Sequence, residues 1–231
     1  MLDFIGTVIT AALMVVIVNA LTIFMDVSRA ARIALAAVIA VWIGLAAAVA
    51  GAGWLPISRP IPVVGLFVVV PLLAAACSTA WLAARQAMLS IPMPVMIALN
   101  VARGFAVLFL MLAAEGRLSG PFPYSAAWGD IITGAAAVPL LWLLKDGVAR
   151  HATTIAIWNL FGAADLVLAI GFGITSAEGS PLQLFAAPGS EAMQHAPWSF
   201  VPTVLVPIWL ILHAIIAVGV RRAKPRHRAT I

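Results

Sequence analysis

The feature that most constrains this chain is a succession of apolar runs, each about as long as a bilayer is thick. A spanning helix needs about 20 mostly apolar residues at about 1.5 Å rise each. Seven stretches reach or approach that length, at approximately 4–25, 33–54, 61–84, 92–114, 128–144, 152–175 and 199–220. The runs are continuous rather than alternating, and an open sheet edge finds no partner in lipid, so strands are not expected. The connections leave no room for a separate soluble domain. Composition agrees: 64% of residues are hydrophobic and 9% are charged, against about 25% charged in a soluble domain. The sequence therefore predicts an all-α polytopic bundle of seven transmembrane helices, forming one domain over 1–220 with a basic tail at 221–231.

Lys and Arg are retained on the cytoplasmic side of a membrane. Arg29, Arg32, Arg85, Lys145, Arg150 and the tail residues Arg221, Arg222, Lys224, Arg226 and Arg228 fall on one side of a seven-helix arrangement, and Arg59 and Arg117 on the other. This separation predicts an external amino terminus, a cytoplasmic carboxyl terminus and a bacterial inner-membrane location. The net charge is +5, but the cluster in the tail reads as a membrane flank, so the bilayer and not nucleic acid is the expected partner. The first run has no basic segment before it and is long enough to span, so it is expected to stay as helix one rather than be cleaved. Trp54, Tyr124, Trp128 and Trp198 fall at predicted outer boundaries, Trp81 and Trp142 at inner ones. Trp42, Trp158 and Trp209 lie deep within spans, as packing residues or pocket walls.

Charged side chains at the bilayer centre cost about 2.5–3.5 kcal/mol each on insertion scales, so each one there is a candidate functional residue. Arg103 in helix four and Asp165 in helix six qualify, at depths agreeing within about 3 Å at helical rise. Asn100, Asn159 and His213 share a level just below them, and Asn19 of helix one also lies in the inner half. Spacing puts Asn100 and Arg103 on one face, and Trp158, Asn159, Gly162 and Asp165 on another. The plainer readings are a static Arg103–Asp165 ion pair, asparagines as interhelical glue, and a satisfied interior histidine. Asp130 sits at the expected start of helix five, where a carboxylate caps free amides and meets the helix dipole. Pro71, Pro139 and Pro207 each lie inside a span and free the carbonyl four residues earlier, those of Phe67, Ala135 and Thr203. The external loop at 176–197 reads either as a lid over an outward-facing cavity or as an interfacial loop with half-buried Leu182, Leu184 and Phe185.

No reaction is named by these residues, and no cofactor. The histidines do not share one depth as a bis-histidine haem requires. There is no phosphate loop, zinc-protease pair or serine elbow. The single cysteine, Cys77, forms no intrachain disulfide. Lys145 and Lys224 lie at or beyond the inner boundary, which excludes a retinal Schiff base within the bundle. Gly44, Gly51 and Gly53 on helix two offer a close-packing face, within the bundle or between protomers of a homo-oligomer.

Arg103-Gly104, Gly129-Asp130, Trp158-Asn159 with Gly162, Asp165-Leu166, Val201-Pro202, Val206-Pro207 and Leu212-His213 together resemble a widespread family of uncharacterised bacterial multi-pass membrane proteins. The resemblance covers roughly the second half of the chain, implies no activity, and singles out Arg103, Asp130, Asn159, Asp165 and His213. Three functions stay open. One is a small-solute or proton-coupled carrier, with Asp165 and His213 titrating and Arg103 setting the charge of Asp165. Another is a membrane enzyme or redox subunit acting on a lipid or quinone, with Trp158 and Trp209 lining its pocket. The third is a structural or assembly subunit. The first two expect a small-molecule or lipid ligand.

Overall fold

The computed structural model describes residues 1–56, 63–186 and 188–223. Arg59, the beginning of the third apolar run, and the tail residues Lys224, Arg226, His227 and Arg228 lie outside the described residues. Helix α1 (Leu2–Phe24) and helix α2 (Arg29–Gly51) come first. They are followed by α3 (Val63–Ser78), α4 (Leu82–Ser90), α5 (Met93–Val101) and α6 (Val107–Ala114). The last three are α7 (Phe122–Leu143), α8 (Ala152–Ser176) and α9 (Val206–Ala223). Among the described residues, six helical units are long and apolar enough to cross a membrane. The protein is therefore a membrane-embedded helical bundle.

The expected third span is broken. Helices α3 and α4 meet at 110°, so the chain reaches seven spans only if this bent pair counts as one. Local chemistry explains the break. The hydroxyls of Ser78 and Thr79 donate back to the carbonyls of Ala75 and Ala76 at 2.7 and 2.6 Å, competing with the helical ladder. The chain then turns through three successive backbone bonds of i to i−3 type, ending at Trp81.

Helix α7 is the central element, packing against α5, α6, α8 and the turn between α5 and α6. That turn, Ala102–Ala106, is a 3₁₀ segment in the middle of the Met93–Ala114 span. A second irregularity, a π turn over Val201–Leu205, precedes α9. Pro207 removes the amide that would bond to the carbonyl of Thr203, and the Trp42 indole of α2 supplies the missing donor at 3.0 Å. Helices α1 and α2 expose most of their apolar side chains, as a helix hydrophobic all round does in lipid. A Cβ at Gly44 or Gly51 would meet nothing within 4 Å, so among the described residues nothing packs against α2 at these two positions.

Contacts fix which helix ends lie together. Asp3 at the start of α1 accepts from Arg117 after α6 and from Trp198 before α9, at 2.8 and 2.7 Å. At the opposite end, the Asp26 amide donates to Ser90 Oγ at 2.8 Å. Trp198 is fully buried, not at a lipid boundary as its sequence position implies. A Cβ on Gly6 would lie 2.8 Å from its ring, so the glycine is what lets α1 close over it.

Candidate functional site

Arg103 is wholly buried and forms the hub of a four-helix cluster. Its Nε donates to Asp130 Oδ1 of α7 at 2.5 Å, and its Nη2 to Asp165 Oδ2 of α8 at 2.7 Å. Its Nη1 lies 3.1 Å from the carbonyl of Gly162, to which it donates, and 3.0 Å from His213 Nε2 of α9. Asn159 locks the histidine from the other side. Its amide nitrogen donates to the His213 carbonyl at 3.0 Å, which leaves Oδ1 to accept from His213 Nδ1 at 2.8 Å. That assigns the proton to Nδ1 and leaves Nε2 free to accept from Arg103, so the imidazole is neutral. The indole of Trp209 lies 5.8 Å from the guanidinium carbon, and Trp158 packs 5.6 Å from the imidazole.

Close backbone approach makes the cluster possible. A Cβ on Gly129 would sit 1.6 Å from Asp165 Oδ1, and one on Gly162 would meet His213 Cε1 at 2.7 Å and Thr133 Cγ2 at 2.8 Å. Gly134 brings α7 against the 3₁₀ turn, where its Cβ would lie 3.0 Å from the amide of Gly104. The switch from α to 3₁₀ bonding frees carbonyls near the junction, and the Trp209 indole donates to that of Leu99 at 3.3 Å.

Of the residues singled out in the sequence, Arg103, Asn159, Asp165 and His213 are joined directly. Asn100 is fully buried nearby, but its amide donates only to Met96 of its own helix, and its Oδ1 has no partner among the described residues. Asn19 is exposed and donates to the Val15 carbonyl at 2.8 Å, so it takes no part. Trp158 and Trp209 are anchored by their indole nitrogens, Trp158 to the Thr133 carbonyl at 3.0 Å.

Asp130 is not a helix cap. Helix α7 begins at Phe122, immediately after Pro121. Prolines at 121 and 123 suit a first turn, whose amides need no partner, so the helix extends back well before Asp130 and carries it into the bundle. This Pro-Phe-Pro start signal was available in the sequence. The cluster therefore holds two carboxylates, one guanidinium and one neutral imidazole, for a net charge of −1 with both aspartates ionised.

Asp130 also borders a cavity of about 460 Å³, walled by α3, α6, α7, α8 and the start of α9 and roofed by the loop between α8 and the π turn. Asp165 and His213 do not line it. Its surface is otherwise almost wholly apolar, with Phe109, Phe122, Leu166 and Val206 among the walls. The roof contributes Ser180, Ser190 and Gln194. It is pinned by Ser190 Oγ donating to the Gly173 carbonyl at 2.6 Å, by the Glu178 amide on Glu191 at 2.5 Å, and by the Ser119 amide on the Gly189 carbonyl at 3.0 Å. Gln194 is only 8% exposed, yet its carboxamide makes no hydrogen bond to any described residue. Leu182 and Leu184, expected to be half-buried, are exposed at 63% and 76%. A carboxylate at the floor of such a cavity accepts a hydrogen bond, a proton or a cation.

No curated protein and no solved structure matches the chain. A protein family described as a domain of unknown function (DUF8737) matches residues 60–221. The match contains the whole Arg103 cluster and every cavity-lining residue, and it leaves α1 and α2 outside. The chain therefore belongs to the DUF8737 family of unknown function, in the form of a membrane-embedded bundle of apolar helices.

Proposed function

We propose that this protein is a proton-coupled carrier of a small solute, with the Arg103 cluster as its coupling site. The observation that carries this reading is the charge mismatch: two buried carboxylates share one guanidinium, and only one of them, Asp130, faces a cavity. An uncompensated charge in a low-dielectric interior demands a neutralising partner. A proton serves while the cavity is empty, and exchange of that proton for solute couples the two. The charged groups around Asp130 are Arg103 from the α5–α6 unit, which bonds to it, and Asp165 from α8, on the same guanidinium; His213 from α9 joins the cluster through Arg103. Arg103 holds Asp165 in place and, by donating to Nε2, keeps His213 neutral, Asn159 fixes the imidazole from the Nδ1 side, and Asp130 is the member that exchanges.

The 3₁₀ turn at Ala102–Ala106 and the π turn at Val201–Leu205 flank the site. Such irregular turns are where a helix changes shape at low cost, so these are the proposed hinges. By the retention of basic residues on the cytoplasmic side, the end bearing Asp3, Arg117 and the cavity roof faces outward and the carboxyl terminus faces inward, in a bacterial inner membrane.

A pH jump applied to proteoliposomes on a solid-supported membrane tests this without knowledge of the solute. Wild-type protein should give a transient charge displacement, and Asp130→Asn, while remaining monodisperse, should abolish it. Equal displacement in both proteins, or none in the wild type, would contradict the carrier reading.

A further inference from the structure

We infer that the cavity between α3 and α8 is a binding site for an amphipathic organic cation, its ammonium group at Asp130 and its apolar body along the walls beneath the Gln194 roof. This rests on the carrier reading for its consequence, proton exchange, but not for the recognition itself, which follows from the chemistry of the wall.

Each other ligand class meets an obstacle. An anion finds no free partner, because Nε, Nη1 and Nη2 of Arg103 are committed to Asp130, Gly162, His213 and Asp165, and Asp130 stands between the guanidinium and the cavity. A hard divalent cation such as calcium or magnesium needs about six oxygen ligands, and the cavity offers one carboxylate and the side-chain oxygens of Ser180, Ser190 and Gln194. A purely hydrocarbon ligand would leave the surplus negative charge of the cluster uncompensated and the carboxamide of Gln194 without a partner. A cation with an apolar body satisfies all three features. It neutralises the net charge of −1, offers N–H donors or a polar substituent to Gln194, and fills apolar volume. The space of about 460 Å³ is within the range of about 300–1,000 Å³ that accommodates a drug-sized molecule.

Exposed apolar side chains on the two helices beside the cavity, Leu66 and Val69 on α3 and Val167 and Leu168 on α8, place lipid next to the site. An amphipathic cation concentrates in that layer, so the site can load from the membrane. With one proton on the cluster before binding and one cation after it, the cluster is neutral in both states, and each cation bound displaces one proton to solvent.

Tetraphenylphosphonium and its anionic counterpart of the same shape, tetraphenylborate, separate charge from bulk as probes of full-length protein in nanodiscs. The expected result is saturable phosphonium binding with no matching borate site, release of about one proton per phosphonium bound in weak buffer, and affinity at least tenfold weaker in Asp130→Asn. Ala169→Phe, which puts bulk into the cavity at a residue that is not itself a member of the charged cluster, should also abolish binding, so the outcome does not depend on Asp130→Asn folding well. Equal binding of both probes, or phosphonium binding unchanged in both variants, would overturn the inference. Loss in Ala169→Phe alone would also overturn it, in favour of a neutral lipid-like ligand. Phosphonium binding with no charge displacement on a pH jump would uphold the cation site and refute the carrier; displacement without phosphonium binding would do the reverse.

Discussion

Arg103 and Arg117 each meet an aspartate at hydrogen-bond distance, and the two pairs differ in nearly everything else. Arg117 and Asp3 join the start of α1 to the loop after α6 at 2.8 Å, with 35% and 57% of their side chains exposed. Both remain partly hydrated, and a pair of that kind contributes about 0–1 kcal/mol. Arg103 is completely enclosed and its two aspartates retain 7% exposure each. There, desolvation is the dominant cost, and only a full set of hydrogen bonds offsets it. The exposed pair has as many donors as its geometry needs. The buried cluster carries one more carboxylate than it has cations. An excess charge placed where it costs most, beside a cavity, is poorly accounted for by structural need.

Substitutions that break this contrast should act in a definite order. Arg103→Met leaves two buried carboxylates without a counter-charge, and a loss of about 3–5 kcal/mol is expected, read as a collapse of monodisperse protein on size exclusion. Gly162→Ala should cost about 1–3 kcal/mol by overpacking, because its methyl would displace His213 and Thr133; thermal unfolding in detergent measures it. Asp130→Asn keeps the Arg103–Asp165 bond and removes the surplus charge, so its stability should change by about 1 kcal/mol, the size of one hydrogen bond, while charge displacement disappears. Asp3→Asn still offers an oxygen to Arg117 and Trp198, and should shift stability by about 0.5 kcal/mol or less with full displacement retained. If Asp3→Asn matched Asp130→Asn in both readouts, burial would not be what distinguishes the two pairs.

How far the sequence reaches follows the same division between cost and geometry. Arg103, Asp165, Asn159 and His213 were legible because a polar group in hydrocarbon is expensive wherever it lies, and depth along a helix is simple arithmetic. The freed carbonyl of Thr203 was legible too, since Pro207 dictates it; its donor, Trp42, comes from a distant helix and was not. Asp130 was misplaced because hydropathy started its helix at Trp128, whereas the prolines start it at Phe122. The break after Ser78 escaped for the opposite reason: the run stays apolar through it, and two hydroxyls rather than a charge end the helix. Gln194 lies in a loop of mixed composition, where nothing in the sequence marks one amide as lacking a partner. Asn19 shows the limit of the cost argument, since an asparagine at a lipid-facing position can satisfy its amide on its own helix.

The proposed coupling rests on one proton of the Arg103 cluster, released and regained at Asp130 while Asp165 stays bound to Arg103. Infrared difference spectra of the protein in lipid, recorded while the pH is cycled, observe this directly. In the wild type a protonated-carboxyl band should appear and vanish with pH, and it should be absent in Asp130→Asn and in folded Asp165→Asn, since either variant leaves one carboxylate to one guanidinium. A band that survives in Asp130→Asn would contradict it.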